Sequence, residues 1–252
     1  MINNLPEKLS QLRLYGASKA YSEQILLDGF QDMSFDERLS LLIEREEIER
    51  ANKAMSTRIC KAKFKQPASY EDIKPSSSRG LDKTTLQTLG TCEWIRKKKN
   101  LIVTGSSGCG KSFLSTGLSH KACLMGLTAR YFRAPHLLTE LESAREEGKL
   151  KRLITQLGKV NVLIIDDFML SGINEAEQKD LFEIIEERHE SSSTIFTSQN
   201  PLSMWHALMP NPAIADAILD RISNGSLRVE LKGESMRRKK VVDLDQDKQI
   251  QQ

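Results

Sequence analysis

The 252-residue sequence has no apolar stretch near the roughly 18 uncharged residues needed to cross a bilayer. Its first residues also lack a basic segment followed by an apolar core. These absences point to a cytoplasmic protein with no membrane partner. Cysteine is scarce, and Cys60, Cys92, Cys109 and Cys123 stand apart with no C-x-x-C pair, which argues against a disulfide framework and a zinc site. The histidines at 120, 136, 189 and 206 lack metal-ligand spacing as well. Charge of one sign does not dominate: the net value is +3, so any contact with nucleic acid must rest on local clusters. What remains is an ordinary globular composition, long enough for one α/β domain and a small accessory unit.

The first sixty-odd residues hold no strand-like run. Ile48, Ala51, Met55, Ile59 and Ala62 recur at three- and four-residue intervals, the pattern of an amphipathic helix. Ser34 with Glu37 three residues on supplies a capping box for its start, and a shorter helix is expected around Pro6 to Leu14. Pro67, Pro75, a serine run and Gly80 then give a linker composition. The expected organisation is a helical domain over 1–66, a linker over 67–80, a nucleotide-binding domain over 81–236 and a basic, then polar tail over 237–252.

From Asn100 onward, short apolar runs alternate with helical periods. Strands are expected at 101–104, 128–132, 160–165, 194–197 and 227–231, with helices at 112–125, 137–156 and 175–190 between them. This alternation predicts parallel β-α-β crossovers. The first strand breaks into Gly105-Ser106-Ser107-Gly108-Cys109-Gly110-Lys111-Ser112, followed by Phe113. The spacing G-x4-G-K-S is that of a P-loop, whose glycines let backbone N–H groups wrap the phosphates of ATP. Lys111 is expected between the β- and γ-phosphates, and the Ser112 hydroxyl on Mg²⁺. About fifty residues on, Val162 to Ile165 forms a buried strand ending in Asp166 and Asp167 at the edge where α/β sheets bind ligands. Asp166 is expected to hold the Mg²⁺ through water, and Asp167 to orient or deprotonate an attacking water. Ser198, Gln199 and Asn200 follow the next strand, and any one of them could meet the γ-phosphate.

Together with these motifs, Ser193 to Gln199, Trp205-His206, Ala215 to Arg221 and Glu230 to Arg237 resemble the IstB-like ATP-binding proteins of bacterial insertion sequences, over essentially the whole chain. The resemblance implies an AAA+ fold of the initiator and helicase-loader clade, α/β with a five-stranded parallel sheet in the order 5-1-4-3-2, preceded by a small all-helical domain. It implies an ATPase that assembles as a homo-oligomer on double-stranded DNA, largely without sequence preference, and recruits and stimulates a partner transposase. Gln199 then matches the first sensor position, and Arg221 the arginine finger that serves a neighbour's nucleotide. Asp167 stands where most AAA+ proteins carry glutamate, which implies slow or partner-dependent hydrolysis. Only residues 222–252 follow Arg221, too few for the usual helical lid, and Arg237 and Arg238 are the candidates for a second sensor.

Two basic stretches are the DNA-facing candidates: Lys53, Arg58, Lys61, Lys63 and Lys65 at the end of the long helix, and Arg145, Lys149, Lys151 and Arg152 between the second and third strands. The rival readings are a DnaC-like loader of a replicative helicase and a metabolic P-loop kinase. The paired aspartates and the later Asp-Arg favour attack by water over transfer to a small acceptor.

Overall fold

Every apolar run expected as a strand becomes one in the computed structural model of the chain, which describes residues 4–30, 32–233 and 235. These residues fall into two units, Met1–Thr57 and Arg58–Gln252.

The first unit is helical, with α1 (Leu5–Gln11), α2 (Tyr15–Leu26) and most of α3 (Phe35–Ala62), whose last residues belong to the second unit. The capping box forms as the sequence suggests: the Ser34 N–H donates to the Glu37 carboxylate at 2.8 Å, and the Glu37 N–H donates to Ser34 Oγ at 3.3 Å. The Ser34 hydroxyl, which also donates to that carboxylate at 2.8 Å, and then the Ser34 N–H hold the Glu37 carboxyl below its usual range. The separate helix α2 is not signalled by the sequence pattern. Its start is stabilised by Glu46 of α3, a buried carboxylate that accepts the Gly16 and Ala17 N–H groups at 2.8 and 3.2 Å and Arg50 Nε at 2.7 Å. A negative charge belongs at a helix N-terminus, where amides lack intrahelical partners. The approach of the two helices is close enough that a Cβ on Gly16 would lie 2.5 Å from the Arg45 carbonyl oxygen.

In the second unit the segment read as a linker is packed down: Ala68 and Ile73 are buried, and Ile73 joins the core beneath the sheet. Short helices α4 (Lys83–Gly90) and α5 (Glu93–Arg96) lead into β1 (Leu101–Gly105). Next come α6 (Lys111–Leu124), β2 (Ala129–Arg133), α7 (Ala134–Glu146), α8 (Leu150–Gly158), β3 (Val162–Asp166), α9 (Glu175–Arg188), β4 (Ser193–Ser198), α10 (Leu202–Trp205), α11 (Pro212–Ser223) and β5 (Leu227–Leu231). The single helix expected over 137–156 is two helices. Gly148, in the left-handed region at φ 69°, ends the first one, and the Lys149 N–H closes back on the Ala144 carbonyl.

All strand pairs are parallel, in the order β2-β3-β4-β1-β5, which is 5-1-4-3-2 read from the other edge. Strand alternation feeds two cores. Leu101, Val103, Ile164 and Ile195 join one with Leu114, Leu118 and Trp94; Ile102, Leu163, Ile165 and Phe196 join the other with Leu181, Ile184, Trp205 and Ile218. On that second side Trp205 and Phe196 both pack against Phe168, with edge-on ring centroids 4.7 and 4.9 Å away. Arg188 pins α9 to the sheet: its guanidinium donates to Thr194 Oγ1 and to the carbonyls of Leu157, Val160 and Ser193. Burial pushes its pKa down to about 9, which leaves it charged at neutral pH.

The Gly16→Ala variant is expected to destabilise the helical unit by about 1–3 kcal/mol, because the added methyl meets backbone that cannot swing away. Urea unfolding followed by far-UV circular dichroism checks this. An unchanged midpoint would show that α2 and α3 can separate without cost.

Candidate nucleotide-binding site

The strand order places β4 between β1 and β3, so the loops leaving these three strands meet at one edge of the sheet. The first is the P-loop, with Gly105, Gly108 and Gly110 at φ 145°, 79° and 100°, conformations that side-chain-bearing residues rarely adopt. The glycines turn the chain into α6, whose first amides face the loop. Lys111 is buried, and its ammonium donates to the Gly105 and Ser106 carbonyls at 2.7 and 2.9 Å. Cys109 is buried and Phe113 packs against the core, so both can serve a phosphate only through their backbone, whereas Ser106 and Ser107 are exposed. Arg79, in the stretch read as linker, braces the loop by donating to the Cys109 carbonyl at 2.7 Å. The segment after β5 also approaches it: Ser106 Oγ donates to the Gly233 carbonyl at 3.4 Å, and a Cβ on Gly108 would lie 2.1 Å from Ser235 Oγ.

Asp166 ends β3 and is 1% exposed. Its carboxylate accepts the Ser112 hydroxyl at 2.9 and 2.8 Å, the Tyr131 hydroxyl at 2.6 Å, and the Thr197 hydroxyl. Burial, and then the hydrogen bond to the Asp166 carboxylate, push the Tyr131 phenol far up, so it remains a protonated donor. The facing Ser112 hydroxyl and Asp166 carboxylate make an all-oxygen pair of the kind Mg²⁺ prefers, and could hold that ion. Among the described residues no group of three or more His, Cys, Asp or Glu could hold a metal on its own.

Asp167 is handled differently. It adopts φ 58°, its N–H donates to Thr197 Oγ1 at 3.3 Å, and its carboxylate accepts Arg133 Nε at 3.1 Å and Nη2 at 2.9 Å. Arg133 carries no motif of its own in the sequence. It ends β2 directly opposite Asp166 in the register, so the strand order implied by the resemblance is the signal that could have found it. Of the polar trio 198–200 at the exit of β4, Ser198 donates to the Phe168 carbonyl at 2.6 Å and Asn200 Nδ2 to the Met169 carbonyl at 2.7 Å. Both therefore shape the loop after β3. The Gln199 amide makes no hydrogen bond among the described residues.

Arg221 lies at the opposite edge. Its guanidinium pairs with Glu186 of α9, donates to the Ala217 carbonyl at 3.0 Å and sits 5.2 Å from the Phe182 ring centre. Its own carbonyl accepts Asn100 Nδ2 at 3.2 Å, where the chain enters β1. Arg237 and Arg238 lie outside the described residues.

In the first unit Lys53 is exposed, 5.5 Å over the Tyr15 ring. In the second, Arg58 Nε donates to the Cys123 carbonyl at 3.1 Å, while Lys61, Lys63 and Lys65 are exposed. Arg145 pairs with Asp180 and Lys149 with Glu147, which leaves Lys151 and Arg152 as the exposed, unpaired charges of that segment among the described residues.

Tyr131→Phe removes one donor from a buried carboxylate and is expected to cost about 1.5–3 kcal/mol of stability. Chemical denaturation measures it, and no change would mean that the Ser112 and Thr197 hydroxyls suffice.

Residues 7–243 match the family model for the IstB-like ATP binding protein. An insertion sequence ATP-binding protein of Sinorhizobium fredii is 42% identical over 232 residues, covering 92% of this chain and 95% of the relative. Among solved structures, the DnaC helicase loader superposes with a TM-score of 0.54 at 19% identity, over 66% of this chain and 97% of the loader. AMPPCP-bound DnaA from Aquifex aeolicus gives 0.57 at 17% identity, over 74% of this chain and 56% of that one. The two likenesses identify the fold as AAA+. With an intact P-loop and near full-length agreement, the chain belongs to the IstB-like ATP-binding protein family of insertion sequences.

Proposed function

We propose that this protein is a DNA-binding AAA+ ATPase that assembles on target DNA with ATP and recruits or stimulates the transposase of its insertion sequence. The observation that carries the reading is the convergence of Lys111, Ser112, Asp166 and Asp167 at one sheet edge, in a chain related along its length to insertion-sequence ATP-binding proteins. The amides of 105–113 and the Lys111 ammonium hold the triphosphate. Ser112 and Asp166 would hold Mg²⁺, which neutralises charge on the β- and γ-phosphate oxygens when bound.

Asp167 orients or deprotonates the attacking water, and Arg133, whose Nε and Nη2 both donate to its Oδ2, occupies that oxygen until the pair opens. This gives a physical reason for hydrolysis that waits on a partner. Gln199 reaches the γ-phosphate from β4. Arg221 serves the nucleotide of a neighbouring copy, since a five-residue strand puts about 16 Å between it and its own P-loop. Double-stranded DNA is bound through phosphates, without base readout, by Lys53, Arg58, Lys61, Lys63 and Lys65 and by Lys151 and Arg152, with Arg145 and Lys149 secondary. The setting is cytoplasmic; among the described residues no helix is long and apolar enough to cross a membrane.

The DnaC-like loader is the second reading, favoured by the fold alone. Co-purification with an insertion-sequence transposase supports the first reading, and capture of a replicative helicase instead supports the second.

Lys111→Ala is expected to lower ATP affinity at least 100-fold in a folded protein, read by titration with a fluorescent nucleotide; unchanged affinity would remove the P-loop assignment. Asp167→Asn is expected to keep ATP binding and DNA assembly while turnover falls at least tenfold. Wild-type turnover in that variant would move the base elsewhere.

Reversing the charge at Lys61 and Lys63 is expected to weaken binding to unrelated duplexes by similar factors. It should also flatten the salt dependence by about one unit of slope for each phosphate that is no longer neutralised. Affinity and salt slope equal to wild type would return this segment to a plain solvated surface.

A further inference from the structure

Residues 76–81 fold into a closed turn. The Ser76 N–H donates to the Leu81 carbonyl at 2.6 Å, and the Leu81 N–H returns to the Ser76 carbonyl at 3.2 Å. Arg79 lies within this turn, and its backbone is anchored by the residue after β5: the Lys232 N–H donates to the Arg79 carbonyl at 2.9 Å. Gly80 follows in the left-handed region at φ 77°, where a Cβ would lie 2.0 Å from the Glu230 carbonyl oxygen. The Arg79 guanidinium therefore reaches the P-loop from a fixed base, and Nη2 donates to the Cys109 carbonyl at 2.7 Å.

The chemical consequence of that bond lies at the other end of the same peptide. A peptide group is planar and trans, so its N–H points away from its C=O. With the Cys109 carbonyl held toward Arg79, the Gly110 N–H is aimed the opposite way. That N–H has no acceptor among the described residues. Gly110 stands directly before the first turn of α6, where P-loop amides cradle the α- and β-phosphates. Gly110 sits at φ 100°, and glycine accommodates either orientation of the peptide before it, so the loop residues alone do not fix this amide. Lys111 is committed to the Gly105 and Ser106 carbonyls, which leaves the orientation of the Cys109–Gly110 peptide to Arg79.

We propose that Arg79 is a positioning residue of the nucleotide site: it locks the Cys109–Gly110 peptide so that the Gly110 N–H is preset toward the β-phosphate. The assignment rests on the reading of 105–113 as the phosphate cradle. It makes the turn at 76–81 and the residues after β5 part of what sets affinity for nucleoside di- and triphosphates.

Arg79→Ala and Arg79→Lys test it, by titration with ADP and with AMPPCP and by following the Gly110 amide proton in proton–nitrogen correlation spectra. Arg79→Ala is expected to fold and to lose at least tenfold in affinity for both nucleotides alike, the loss of one hydrogen bond to a charged group. Arg79→Lys keeps a charged donor and is expected to lose less. In wild type, ADP should move the Gly110 amide proton downfield, because a short, charge-assisted hydrogen bond deshields it. At saturating ADP that shift should fall by at least half in Arg79→Ala. An arginine with only a structural role would lower the urea midpoint and leave the affinities and the shift alone. Four results would overturn the assignment: unchanged affinities, a loss confined to AMPPCP, which puts Arg79 on the γ-phosphate itself, a full Gly110 shift in Arg79→Ala, or a lysine variant no better than the alanine one. A wild type that binds neither nucleotide overturns it too and removes the P-loop reading with it. A wild type that binds both through Arg79 yet never turns over ATP sinks the ATPase reading and leaves the role of Arg79 standing.

Discussion

The nucleotide edge depends on how one buried carboxylate is compensated. Asp166 receives hydroxyls from Ser112 on α6, Tyr131 on β2 and Thr197 on β4, so three elements converge on the end of a fourth. A buried charge without such partners would be strongly unfavourable, and each donor offsets part of that cost. All three donors are neutral. They solvate the negative charge without cancelling it, and the carboxylate remains available to a cation. Asp167, one residue later, is instead met by a guanidinium that neutralises it. Two adjacent acids are thus met by different partners: one holds its charge among neutral donors, the other is tied into an ion pair.

The strands and the P-loop are legible in the sequence because their causes are local. Parallel strands covered on both faces read as unbroken apolar runs, as Val162 to Ile165 does, and the loop glycines are demanded by backbone conformation. What the sequence conceals depends on contacts between segments distant in the chain. Glu46 sits in a charged run and looks like solvated surface, yet it is buried against the start of α2. Arg79 hides in a serine-rich stretch and braces the P-loop thirty residues away. Arg133 becomes meaningful only once β2 is known to lie beside β3 in a particular register. The break at Gly148 is locally visible, but the helical period continues through it and masks the turn.

The basic clusters show the same divide. Counting charges along 145–152 credits the segment with four cations, whereas the fold commits Arg145 to Asp180 and Lys149 to Glu147. An arginine already bound to a carboxylate must lose that partner before it can meet a phosphate, so its net contribution is smaller than its charge suggests. Lys61, Lys63 and Lys65 have no ion pair of that kind among the described residues, and the electrostatic attraction for a polyanion falls more heavily on them.

β4 ties the two edges together. A central parallel strand is ordinarily aliphatic throughout, yet this one carries Ser193, Thr194, Thr197 and Ser198, all buried. At its entry, Ser193 Oγ donates to the carbonyls of Trp94 and Ile95, and Thr194 accepts from Arg188 and donates its N–H to Asn100. At its exit, Thr197 donates to Asp166 and Ser198 to the Phe168 carbonyl. Only Ile195 and Phe196 are left to pack the two cores. With both ends bonded and the middle close-packed, the strand has little freedom to slide or twist, because either motion breaks buried hydrogen bonds. The distance between the nucleotide edge and the entry edge, where Arg221 pairs with Glu186, is therefore fixed by the chain itself.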